Sequence, residues 1–109
     1  MRIFGVDPGS VRTGYGCIET SESRHRVVAS GALSVPTRLQ FAEKLLLLHT
    51  GLAELLSKHS PEAVAVEDLF YAKNARSASK LGHVRGVVLL AASQAGLPVA
   101  EYTPTQVKQ

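Results

Sequence analysis

Apolar residues recur along the chain with two periods, and the changes of period divide it into elements. Short runs come first. Arg2 to Val6 reads as a strand ended by the Asp7-Pro8-Gly9-Ser10 turn, Val11 to Thr20 as a second strand, and the alternating stretch Arg24 to Leu33 as a third. Gly14 and Gly16 within the second strand predict close backbone approach. Past Pro36 the period lengthens: Leu45, Leu48, Leu52 and Leu55, with Leu46 and Leu56, return every three or four residues. This spacing predicts a helix over about 38–58, with Thr37 as its N-cap, Glu54 and Lys58 as a surface ion pair, and a stop at His59-Ser60-Pro61. Ala63 to Val66 is an unbroken apolar run of strand length ending at Glu67-Asp68, the pattern of a buried parallel strand. A second helix is predicted from Ala75 to Ala95, with Leu81, Val84, Val88, Ala91 and Ala95 on one face and Arg76, Lys80 and His83 in a stripe beside it. Gly96 and Pro98 close it, Val99 to Tyr102 forms a last strand, and Thr103-Pro104 opens a further helix. The order β-β-β-α-β-α-β predicts a three-strand meander followed by two crossovers, an α/β arrangement.

Composition narrows the class. With 109 residues and 45 % hydrophobic content, the chain suits a single domain with a small core. No apolar run approaches the roughly 20 residues of a membrane helix, and MRIFGVDPGS has no signal-peptide pattern, so a cytoplasmic protein without membrane attachment is expected. The lone Cys17 excludes an internal disulfide or a cysteine-built metal site and is expected to be packed in a strand. A net charge of +3 names no partner by itself, but its distribution is uneven: between Asp68 and Glu101 there is no acid, while Lys73, Arg76, Lys80 and Arg85 fall in that window. A polyanion suits such a stretch.

Two strands end alike, Ile3-Phe4-Gly5-Val6-Asp7 and Ala63-Val64-Ala65-Val66-Glu67. If they are parallel neighbours, both acids reach the sheet edge where ligands bind in open α/β folds. Two carboxylates held together call for a cation between them, and oxygen-only ligation selects Mg2+ or Mn2+. A pair of such ions hydrolyses phosphodiesters, but needs more than two carboxylates. Asp before Pro-Gly is also a common turn former, and Glu67-Asp68 would suit a solvated loop. Spacing leaves both readings open.

The segment Gly5-Val6-Asp7-Pro8-Gly9-Ser10-Val11-Arg12-Thr13-Gly14-Tyr15-Gly16 resembles the opening motif of the RuvC family of crossover-junction endonucleases. Val66-Glu67-Asp68-Leu69-Phe70-Tyr71-Ala72-Lys73-Asn74 with Ser77 to Val87 is similar to the family's second block, and Glu101-Tyr102 through Gln106-Val107-Lys108-Gln109 to its third. The resemblance covers essentially the whole chain. It implies a ribonuclease H-like fold, a mixed five-stranded sheet flanked by helices, and a homodimer that resolves four-way DNA (Holliday) junctions in recombination and repair by paired symmetric nicks. It implies further that Asp7 and Glu67 are catalytic and metal-binding, and that Phe70 probes unstacked bases. Lys108 would stand near the scissile phosphate. Lys73, Asn74, Arg76 and Lys80 complete the expected DNA contacts. Mg2+ or Mn2+, two ions per site, would be the cofactor, and the branch-migration proteins RuvA and RuvB would be partners. Family members continue past this point with two more catalytic acids. Residues 1–109 are therefore expected to be one nuclease domain, C-terminally truncated, with an incomplete last helix and part of the active site missing.

Two rivals use the same residues. An actin-like nucleotide-binding phosphotransferase would employ the Asp7 turn and Gly9, Gly14 and Gly16 to hold Mg2+ and phosphates, although nothing after Glu67 offers its second phosphate loop. A non-catalytic junction-binding module would bind DNA without metal and leave it intact.

Overall fold

The computed structural model describes residues 1–9, 11–67 and 74–102, and of Tyr102 the backbone alone. Its elements are β1 (Arg2–Asp7), β2 (Arg12–Ser21), β3 (Arg24–Ser34), α1 (Phe41–His59), β4 (Ala63–Glu67), α2 (Ala75–Gln94) and β5 (Val99–Tyr102). The strands form one mixed sheet in the order β3-β2-β1-β4-β5, antiparallel through the meander and parallel from β1 through β4 to β5. The α/β order and the meander with two crossovers stand as the sequence predicts. The further helix expected from Thr103 lies outside the described residues.

Strand alternation sorts the two faces. Phe4 and Val6 of β1, Cys17 of β2, and Val64 and Val66 of β4 point to one face and are buried there against Leu48, Leu52 and Leu56 of α1 and Val84, Val88, Ala91 and Ala92 of α2. Removing a leucine such as Leu52 from water contributes roughly 1.5–3 kcal/mol. On the other face the register lines up Ser30, Gly16, Gly5, Ala65 and Ala100, one small residue from each strand. Among the described residues no helix covers this face.

Several local expectations need correction. Helix α1 starts at Phe41 with Gln40 in the cap position and no side-chain cap, because Leu39 donates to the Pro36 carbonyl at 3.3 Å and the turn so formed takes up Thr37. The helix ends on schedule, with Ser60 in the left-handed region (φ 47°) donating its N–H to Leu56. Leu46 lies off the core stripe and is 64 % exposed. Among the described residues the ion pairs are Arg2–Glu19 and Arg85–Glu101, so the Glu54–Lys58 pair is not formed. Gly14 and Gly16 sit at ordinary spacing, since an added Cβ would meet its nearest neighbour at 3.8 and 4.0 Å. The tight approach is at Gly9, where a Cβ would fall 2.1 Å from the Arg12 carbonyl oxygen.

The end of the sheet away from Asp7 is tied by Arg2. Its guanidinium holds Glu19 of β2 at 2.6 Å and the His59 carbonyl at the end of α1 at 2.8 Å. Its backbone N–H donates to the Glu62 carboxylate at 3.1 Å, and its carbonyl accepts the Glu62 N–H at 2.8 Å. Among the described residues no helix is long and apolar enough to cross a membrane.

Candidate active site

The β1–β4 register pairs Val6 with Val66 in parallel, so the residues that follow, Asp7 and Glu67, end their strands side by side. Because the valines point to the helices, alternation sends both acids to the open face. Gly14 stands opposite Asp7 in β2 and has no side chain to cover it, while Tyr102 of β5 is in register with Glu67. Asp7 is exposed and Glu67 half-buried. Burial, first, and then a hydrogen bond to Asp7 and the charge of Asp7 push the Glu67 carboxyl above the ordinary glutamate range. The two carboxyls therefore stand close enough for each to feel the other's charge.

The strand ends alone do not place Asp7. The turn behind it is pinned by Thr13, a buried polar side chain at 1 % exposure. Its hydroxyl accepts the Gly9 N–H at 3.4 Å and donates to the Gly9 carbonyl at 3.2 Å. In front of the acid lies an open trough of about 520 Å³ whose lining includes Gly5, Asp7, Arg12, Gly14, Gly16 and Ser30. Gly5, Gly14 and Gly16 help to keep this trough open, since a side chain at any of them would take up part of it.

The donor set can be tested against a cation. Two neighbouring carboxylates, with no counter-charge between them, offer the oxygen ligands that a hard divalent ion takes. The pair fits such an ion. Among the described residues no third His, Cys, Asp or Glu joins it.

The expected DNA contacts divide. Arg76 and Lys80 lie exposed on one stripe of α2, as the helical spacing predicts. Asn74 has a role in the fold as well, since its side chain caps α2 by accepting the Ser77 N–H at 2.9 Å. Arg85, part of the basic window, is engaged with Glu101 of β5. Phe70, Lys73 and Lys108 lie outside the described residues. Thr13 and Arg12 do not stand out in the sequence as site residues; a threonine four residues after the glycine of an Asp-Pro-Gly turn is the available signal for the first.

A mixed sheet ordered 3-2-1-4-5, with acids ending its two central parallel strands, defines a protein of the ribonuclease H-like fold. The comparisons narrow this. The family model described as crossover junction endodeoxyribonuclease RuvC matches residues 3–109, and the chain belongs to the RuvC family. A crossover junction endodeoxyribonuclease RuvC from Alkalilimnicola ehrlichii is 52 % identical over 108 residues, covering 99 % of this chain and 65 % of the relative. That from Acidobacterium capsulatum is 49 % identical over 115 residues, covering 99 % and 67 %. Among solved structures, T. thermophilus RuvC in complex with Holliday junction substrate superposes with a TM-score of 0.91 at 34 % identity, covering 100 % of this chain and 68 % of that one. The chain spans about two thirds of the length of the curated relatives it matches.

Proposed function

We propose that residues 1–109 form one ribonuclease H-like domain of a structure-specific endonuclease that resolves four-way DNA junctions by paired, symmetric, metal-dependent phosphodiester hydrolysis. The observation that carries this reading is the adjacency of Asp7 and Glu67 at the ends of β1 and β4 in a chain of the RuvC family.

In this reading Asp7 and Glu67 are catalytic and hold Mg2+, with Mn2+ as the natural substitute. A bound pair of such ions supplies the nucleophilic hydroxide and stabilises the leaving oxygen. Thr13 fixes the turn so that Asp7 keeps its place against Glu67, and Gly14 leaves the approach to Asp7 clear. Arg76 and Lys80 meet phosphates, which position the DNA without reading its sequence. Asn74 supports them by fixing the first turn of α2. Phe70, Lys73 and Lys108 keep the roles that the family resemblance implies, base probing for the first and phosphate contact for the others.

Two symmetric nicks call for two sites, and α2 offers the surface for a homodimer. Its outward side carries Gly82 and Gly86, at each of which an added Cβ would meet nothing within 4 Å, followed by Leu90 at 51 % exposure. Smooth helix faces of this kind allow close crossing of two copies about a two-fold axis. The branch-migration proteins RuvA and RuvB would act on the same junction, and the cytoplasm would be the location.

Family membership disfavours the phosphotransferase reading; the junction-binding module survives as the outcome in which DNA is held and left whole. The deciding experiment offers labelled four-way junction against excess linear duplex of matched sequence, with and without Mg2+. Selective retention of the junction is expected, and Mg2+-dependent nicks in a chain extended to the length of the relatives. Indifference to DNA shape in both chains would leave the nuclease reading without support.

A further inference from the structure

Charges are distributed differently at the two ends of the sheet. At the end tied by Arg2, two cations share one acid: Arg2 pairs with Glu19, and Arg26 lies close enough to Glu19 to stabilise its ionised form. At the end bearing Asp7 and Glu67, Arg12, Lys44, Arg76 and Lys80 have no ion pair among the described residues. Arg12 is exposed on the trough that Asp7 lines. Lys44, on the first turn of α1, is half-buried and meets Gly9 and Val11 of the β1–β2 turn around a small pit shared with Phe41 and Val84. The Lys80 ammonium lies 5.9 Å from the centre of the Phe41 ring, and the His83 ring stands 5.9 Å away from it. The turn, the start of α1 and the basic stripe of α2 thus meet at one place, with Phe41 as the joint. Glu43 is the one acid of this first turn, and it is exposed.

We propose that Arg12 and Lys44 extend the phosphate-contacting surface of α2 across the β1–β2 turn to the acid pair, giving one DNA strand a continuous cationic track from Arg76 to Asp7. The proposal rests on the nuclease reading and adds to it the route of the substrate. Phe41 is a positioning residue here, since its ring fixes where Lys80 presents its charge. Half-buried Lys44 is held without a protein counter-ion among the described residues, and a phosphodiester backbone supplies one. Each phosphate neutralised releases counter-ions, so each contact carries a salt signature.

The test is junction affinity of the full chain across a salt series for Arg12→Gln, Lys44→Gln, Lys80→Gln and, as control, Arg24→Gln on the β2–β3 hairpin at the opposite end. The first three are expected to weaken binding several-fold and each to lower the slope of log affinity against log salt by about 1, with the control unchanged. Thermal unfolding with and without Mn2+ should be the same for Arg12→Gln as for the parent, so that a loss of DNA affinity is not a lost metal site. Unchanged slopes for Arg12→Gln and Lys44→Gln, with Lys80→Gln reduced, would confine the DNA to α2 and overturn the track while sparing the nuclease reading. An equal loss in Arg24→Gln would reduce the effect to net charge and overturn it as well. Indifference to junction DNA in the parent and in a chain extended to the length of the relatives would sink both.

Discussion

Glu67 ends its strand beside Asp7, one strand over, and is the more buried of the two. Burial and this neighbour raise its affinity for a proton in the folded state. An acid so raised favours the fold below its ordinary value of 4.5, and that contribution is lost as pH climbs through the raised value. Glu19, held low by Arg2, acts in the opposite sense as pH falls, so the informative quantity is the difference between parent and Glu67→Gln. In urea titrations without metal, that variant should gain steadily on the parent as pH rises from 4.5 towards 7. A difference that does not change with pH would assign the effect elsewhere.

A divalent ion should reverse the order. Bound between the carboxylates it stabilises the folded state alone, by about 2.7 kcal/mol at a hundredfold excess over its dissociation constant. Calorimetric scans with Mn2+ should therefore show a higher unfolding temperature for the parent and little or no shift for Asp7→Asn or Glu67→Gln. An undiminished shift in both variants would place the ion somewhere else.

The outward side of α2 gives a cleaner handle on assembly than any core residue. Gly86→Lys meets open space within the protomer. It even removes a helix-interior glycine, worth up to about 1 kcal/mol. Sedimentation should find this variant monomeric and fully folded if α2 is the dimer surface. A dimer unaffected by the lysine would move the interface to another element.

Helix α1 separates core from surface within a few residues. Leu52→Ala should cost about 2–5 kcal/mol in urea unfolding, because the side chain is 1 % exposed between sheet and helix. Leu46→Ala, at 64 % exposure, should stay within about 0.5 kcal/mol. Equal losses would mean that Leu46 is covered in solution.

What can be read from the chain follows from how local the cause is. Alternation and helical spacing are local, so all seven described elements are legible, and Asp7 and Glu67 pair on the strength of two strands with the same ending. Thr37 is not the cap that its position suggests because a proline turn competes for it, which requires knowing where the Pro36 carbonyl points. Gly14 and Gly16 suggest close backbone approach, whereas the crowded position is Gly9, two residues after the acid. Thr13 and Lys44 are hidden for a different reason. The first acts through a turn folded under the sheet, the second through Val11 and Phe41, and tertiary closure brings those together. The capping role of Asn74 is hidden likewise, because an asparagine before a helix reads equally as a cap and as a ligand residue in sequence.

Arg2 ties β1, β2, the end of α1 and the entry to β4 at one edge, and the two acids stand at the other. The sheet is in effect a fan clamped at its handle. Amide protons of β1 should then exchange most slowly near Ile3 and progressively faster toward Asp7. Exchange that quickens in this order would place the give of the domain at the end where the carboxylates stand, beyond the turn that Thr13 holds.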